Sequence, residues 1–182
     1  MIASTEAAPL RRRPPLAIPG LITLADVFGD PAAVAKQLPR EVVGLDACEL
    51  RSADRQFVIY WLTLRPWTPM LDAGYPIERV GILVHWAGEL LAVPHDAYER
   101  RWRHLSDLSL FTLCLWYPDD PRALRWEWSD GFAAYVGSVH RHLMAEEYAR
   151  RHGVWPSEEA PHGTRAVPHA IKSAALRERA QR

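Results

Sequence analysis

Lysine is nearly missing from this chain: of its 22 basic residues only Lys36 and Lys172 are lysine, and the rest are arginine. Such a bias follows most simply from codon usage in a GC-rich genome. It also leaves the chain with few side-chain amines. Cysteine is as sparse. Cys48 and Cys114 stand far apart and outside any CxxC spacing, so in a reducing compartment each is expected as a free thiol rather than half of a disulfide. Net charge is also absent: the formal total is zero, which removes the electrostatic footprint that nucleic acid or an anionic membrane surface would need. No apolar run approaches the roughly 18 residues of a membrane span. The opening MIASTEAAPLRRRPP has no apolar core of the secretory type, so a cytoplasmic protein is expected. No internal repeat is present.

The chain has 182 residues, 48% of them hydrophobic, which suits one domain around a single core. Residues 1–20 mix Arg11, Arg12 and Arg13 with Pro14, Pro15 and Pro19; too little apolar surface is there to offset ordering, and a disordered arm is expected. The domain is expected over 21–165, followed by an Ala- and Arg-rich tail over 166–182 that is helical or disordered. Within 21–38, helical spacing is divided by Gly29-Asp30-Pro31, with Pro31 suited to a first turn. Strands are predicted at 40–50 and 56–65, joined as a hairpin across the polar stretch 51–55. The second of these, QFVIYWLTL, is apolar on both faces and is expected at the sheet centre. After a loop with Pro66, Pro69 and Pro76 comes a third strand over 79–86. Residues 87–108 are irregular in pattern, with a short helix near 97–104, and 108–116 reads as the last apolar extended segment. Ser129 or Asp130 is placed to cap a helix running to Arg151, with Phe132, Val136, Val139 and Leu143 as its buried stripe and Gly153 as its stop.

Cys114 lies in Leu113-Cys114-Leu115-Trp116-Tyr117-Pro118, with Trp126 and Trp128 downstream. This stretch resembles the active-site region of ubiquitin-conjugating (UBC) enzymes. Tyr75-Pro76 is similar to the family's turn into its third strand. The tail, Glu146-Glu147-Tyr148, Gly153-Val154-Trp155-Pro156, Glu158, Glu159, Ala160 and His162-Gly163, resembles the prokaryotic branch, which is encoded in antiphage and ubiquitin-like modification operons. The resemblance spans about 40–163. It implies an α+β, UBC-like fold: an antiparallel meander of about four strands flanked by an N-terminal helix and C-terminal helices. It implies a transferase that takes a ubiquitin-like modifier as a thioester on Cys114 and passes it to a target amine. The implied partners are the modifier, a ThiF-like activating enzyme and a JAB-type protease from the same operon; no cofactor is implied.

The chemistry asks for an accessible thiolate that attacks an activated thioester and later leaves. A cysteine at a strand end, where the chain turns into Pro118-Asp119-Asp120-Pro121, can meet that demand, although an isolated cysteine in an apolar strand is ordinarily a buried small hydrophobe. Cys48 sits between Asp46 and Glu49, carboxylates that raise a thiol pKa, and is expected to be structural. Better-known members of the family place an oxyanion-stabilising asparagine eight positions before the cysteine; here that position is Ser106. His95 and His104 are the candidate replacements, either as hydrogen-bond donors or as orienting bases. Asp119 and Asp120 could draw the amine proton, but a solvated turn accounts for them. Trp126, Trp128 and Trp155 are expected to pack rather than bind. Neither His140-x-His142, whose members are about 200 degrees apart on a helix, nor His162 with Glu158 and Glu159 makes a metal set. Two other classes stand beside the transferase: a non-catalytic UBC-fold binding module, and a small Cys-His hydrolase.

Overall fold

In the computed structural model, which describes residues 21–97, 99, 102–105, 111–116, 122 and 125–156, the chain enters its first helix at Thr23. The Thr23 hydroxyl accepts from the Asp26 amide at 3.3 Å and the Asp26 carboxylate accepts from the Thr23 amide at 2.8 Å, a reciprocal cap on α1 (Leu24–Gly29). The Thr23 hydroxyl also donates to the Asp26 carboxylate at 2.7 Å, and this bond first, then that from the Thr23 amide, holds the Asp26 carboxyl below its usual value. Thr23→Ala is therefore expected to cost about 1 kcal/mol, measurable as a lowered urea midpoint. Asp30 then accepts from the Ala33 amide at 2.9 Å, and Pro31 starts α2 (Pro31–Glu41), where a missing N–H costs nothing. The expected arm over 1–20, the tail over 166–182, Ser106, Asp119, Asp120, Lys172, Glu158, Glu159 and His162 lie outside the described residues.

Four strands, β1 (Leu45–Ala53), β2 (Phe57–Leu64), β3 (Glu78–His85) and β4 (Leu90–Pro94), form an antiparallel meander in the order β1-β2-β3-β4. With the flanking helices this is the α+β architecture expected from the sequence. Side chains alternate across it. Val58, Tyr60, Leu62, Leu64, Val80, Ile82, Val84 and Ala92 are buried on one face. The Tyr60 hydroxyl donates to the Pro31 carbonyl at 3.3 Å, and its ring lies 5.6 Å from Phe132, so α2 and the long α4 (Phe132–His152) cover that same face. Ile59, Trp61, Leu83, Leu91 and Val93 stay half-buried on the other. The all-apolar β2 is thus internal in the sheet, with helices on one side of it.

The differences from expectation have local causes. The first strand starts at Leu45, because α2 continues to Glu41 and the chain turns at Gly44. Gly44 has φ +84, and a Cβ there would lie 2.5 Å from His140 Cε1 and 2.6 Å from the Arg65 carbonyl oxygen. Gly44→Ala is expected to cost about 2–3 kcal/mol from backbone strain and overlap together, read by equilibrium denaturation. The fourth strand is β4: the chain reverses after β3 through Gly88 at φ +93, with the His85 amide on the Glu89 carbonyl at 2.8 Å. Among the described residues 111–116, Leu113 forms an isolated antiparallel bridge to Leu105. The described residues of 97–104 contain no helix.

The α4 start also shifts. Asp130 spends its carboxylate on the Glu127 amide at 2.9 Å and on Arg122 at 2.8 Å, closing a 3-10 turn over Trp128–Asp130. Gly131 at φ +82 therefore precedes the helix, and the Phe132 amide reaches the Ile22 carbonyl at 2.8 Å. Phe132, Val136, Val139 and Leu143 are buried as the stripe predicts. Gly153 ends the helix in the left-handed region at φ 75. No helix among the described residues is long and apolar enough to cross a membrane.

Candidate active site

Cys114 is braced on both sides. Leu113 donates its amide to the Ala92 carbonyl at 2.8 Å and buries its side chain in the core. Two residues after the cysteine, Trp116 packs 5.9 Å from Tyr135 and 6.4 Å from Trp126. Trp126 meets Trp128 edge-on at 5.0 Å, and the two indole N–H groups donate to the Gly131 and Gly88 carbonyls at 2.8 and 2.7 Å. These tryptophans pack as expected, and in doing so they anchor the segment that carries the thiol. Phe111, at φ 56, takes a conformation costly for a bulky residue where this segment begins. Cys114 itself is partly exposed.

The bridge between Leu105 and Leu113 is antiparallel, so Cys114 stands directly opposite His104, and its amide donates to the His104 carbonyl at 2.9 Å. Directly opposed residues send their side chains to the same side, with Cα atoms roughly 5.5 Å apart in such a pair. His104 is 5% exposed. Its ring lies 3.9 Å from that of Trp155 and 5.7 Å from that of His142. Trp155, expected to pack rather than bind, packs on this imidazole.

Beneath His104 lies a carboxylate with no exposure at all, Glu146 of α4. Its two oxygens accept from the Arg103 amide at 3.0 Å and the His104 amide at 2.7 Å. His142 Nε2 lies 3.7 Å from Glu146 Oε1, too long for a hydrogen bond but close enough for charge attraction. Burial pushes the Glu146 carboxyl up; His142 and the two amides outweigh it and hold the group below its usual value.

His95 goes elsewhere. It follows β4, is exposed, donates its amide to the Arg79 carbonyl at 2.9 Å and sets its ring 5.5 Å from Trp61, on the face away from α4. The structure therefore brings His104 to Cys114 and sends His95 to the other side of the sheet. Cys48 sits on β1 opposite Leu62, against the core. Burial first, and then the charge of Glu49, push its thiol up to about 12. Asp46, the other flanking carboxylate, is engaged by Arg65 at 2.7 Å.

His140 and His142 diverge as their spacing requires: His140 packs 6.2 Å from Trp67, while His142 faces His104 and Trp155. Among the described residues no group of three or more His, Cys, Asp or Glu side chains is arranged to hold a metal ion. The Tyr75-Pro76 turn is clamped by the end of α4: Arg151 donates to the Ala73 carbonyl at 2.6 Å and to that of Gly74, with its guanidinium 4.3 Å over the Tyr75 ring. Sequence reasoning passed over Glu146 as a site residue. Its signal was there, since 139, 143 and 146 follow one buried stripe and a carboxylate on such a stripe needs a partner. Compared with protein families, curated proteins and solved structures, the chain matches none.

Proposed function

We propose that this protein is a UBC-like thioester transferase with Cys114 as the acyl carrier. The Cys114 thiolate attacks the carbonyl carbon of a ubiquitin-like modifier's terminal thioester on an activating enzyme of the ThiF-like kind. The new S–C bond forms as the activating enzyme's cysteine leaves as thiolate. A target amine then attacks the same carbon; the amide N–C bond forms, the Cys114 sulfur leaves, and the amine proton passes to a nearby base. A JAB-type protease would reverse the modification.

The observation that carries this proposal is the contrast between the two cysteines. Both are half-buried, but Cys114 lies on a segment braced by Leu113 and Trp116, beside a helix-flanked meander, whereas Cys48 packs on the core with its thiol pushed up to about 12. Incubation with modifier, ATP and the activating enzyme is expected to give a covalent adduct that reducing agent removes. Absence of any such adduct on wild-type protein overturns the proposal.

A second class is favoured by one contact. His104 stands directly across from Cys114, the pairing a Cys-His hydrolase uses. Release of free modifier from a modifier-thioester or isopeptide substrate, with no transfer to amine, would select the hydrolase.

A further inference from the structure

Two buried ionisable groups, Glu146 and His142, stand next to the cysteine segment and take no part in the transfer steps above. They are four residues apart on α4 and share one face of it. A carboxylate with no exposure is costly unless its oxygens are used, and Glu146 uses both on one short stretch of backbone, the amides of Arg103 and His104. His142 is buried, with only 7% of its side chain exposed, and its Nε2 has no hydrogen-bond partner while lying 3.7 Å from Glu146 Oε1. Its ring meets that of His104 edge-on, at 83° and 5.7 Å, and Trp155 lies against both imidazoles, 3.9 Å from His104 and 5.4 Å from His142. His104 is thus held at three places: its amide by Glu146, its ring by His142 and Trp155, and its carbonyl by the Cys114 amide.

We propose that Glu146 and His142 are positioning residues that hold the His104 imidazole as the proton acceptor for Cys114, an assignment that rests on Cys114 being the acyl carrier. The Cys114 S–H bond breaks, its electron pair stays on sulfur, and the proton passes to the ring nitrogen of His104, giving a thiolate and an imidazolium. Among the described residues, the charged and titratable groups around that imidazolium are His142 and Glu146 from α4 and Cys114 from the opposed segment. The neighbouring Arg103 directs its guanidinium to the Gly153 carbonyl at 3.3 Å. The negative charge of Glu146 favours the imidazolium, and packed neighbours fix where its proton is received.

The test is the pH dependence of iodoacetamide alkylation at Cys114, in the full chain carrying Cys48→Ala and without modifier or activating enzyme. Because no transfer partner is present, failure here and failure to form a modifier adduct are separate results. Wild type is expected to titrate below the ordinary thiol value of about 8.5. His104→Asn is expected to raise that midpoint by about one pH unit, a tenfold loss of thiolate at a fixed lower pH. Glu146→Gln and His142→Gln are each expected to raise it by part of that amount, with circular dichroism unchanged. If Glu146→Gln does not fold, His142→Gln, which leaves both Glu146 hydrogen bonds in place, decides alone. A Cys114 thiol inert in folded wild type, or a His104→Asn profile that superimposes on wild type, overturns the proposal. So does a wild-type profile in folded His142→Gln.

Discussion

Cys114→Ser is expected to lower transfer to amine by on the order of a thousandfold, and to replace the reductant-labile adduct with a trace of stable ester. A serine hydroxyl is almost wholly un-ionised at neutral pH, and an alkoxide is a far poorer leaving group than a thiolate, so both half-reactions suffer. Cys48→Ala provides the internal control. Its thiol is pushed up to about 12 by burial and by Glu49, so essentially none of it is thiolate near neutrality, and its removal should leave transfer unchanged. The measurement is a gel-shift time course with and without reductant. Equal losses in the two variants would mean that the assay reads stability rather than chemistry.

Glu146→Ala is expected to destabilise the fold by about 3–5 kcal/mol, since a buried and a part-buried backbone amide lose a charged acceptor at once and a cavity opens in α4's packed face. Glu146→Gln keeps one acceptor oxygen and should lose roughly half as much. Urea denaturation at neutral pH separates the three proteins. Acid supplies a second check. The folded Glu146 carboxyl is held below its unfolded value, so its contribution is complete above the ordinary carboxyl range near pH 4.3 and is lost as pH falls through the depressed folded value. The stability gap between wild type and Glu146→Gln should therefore narrow as the pH is lowered below about 4. A gap that stays constant down to the acid transition would mean that the carboxyl titrates alike in the folded and unfolded protein, and that its pKa is not lowered by folding.

Much of the framework could be read from residues alone, because its signals are local. Helix α4 follows from Phe132, Val136, Val139 and Leu143 at helical spacing with Gly153 beyond. The split between α1 and α2 follows from Asp30-Pro31, where a cap and a ring that fits a first turn coincide. The hairpin of β1 and β2 follows from a polar connection between two apolar runs. Strand β4 was not legible: its five residues, Leu90–Pro94, carry little alternation and end on proline. What makes them a strand is the reversal at Gly88, which aligns them with β3. The apolar run at 108–116 suggests a further extended segment. Its described residues, 111–116, pair with Leu105 and His104 through Leu113 and Cys114, and the aromatic end then turns aside to pack Trp116 on Tyr135.

The chain by itself set the two cysteines apart, since Glu49 beside Cys48 and an apolar, aromatic setting around Cys114 are facts of sequence. It could not decide between His95 and His104, nor mark Glu146 and His142 as neighbours of His104. Separation along the chain carries no information about register, and a one-residue slip sends a side chain to the opposite face of a sheet. Only the antiparallel bridge at Leu105 and Leu113, pinned by a helix carboxylate some forty residues further along, sets His104 rather than His95 across from the sulfur.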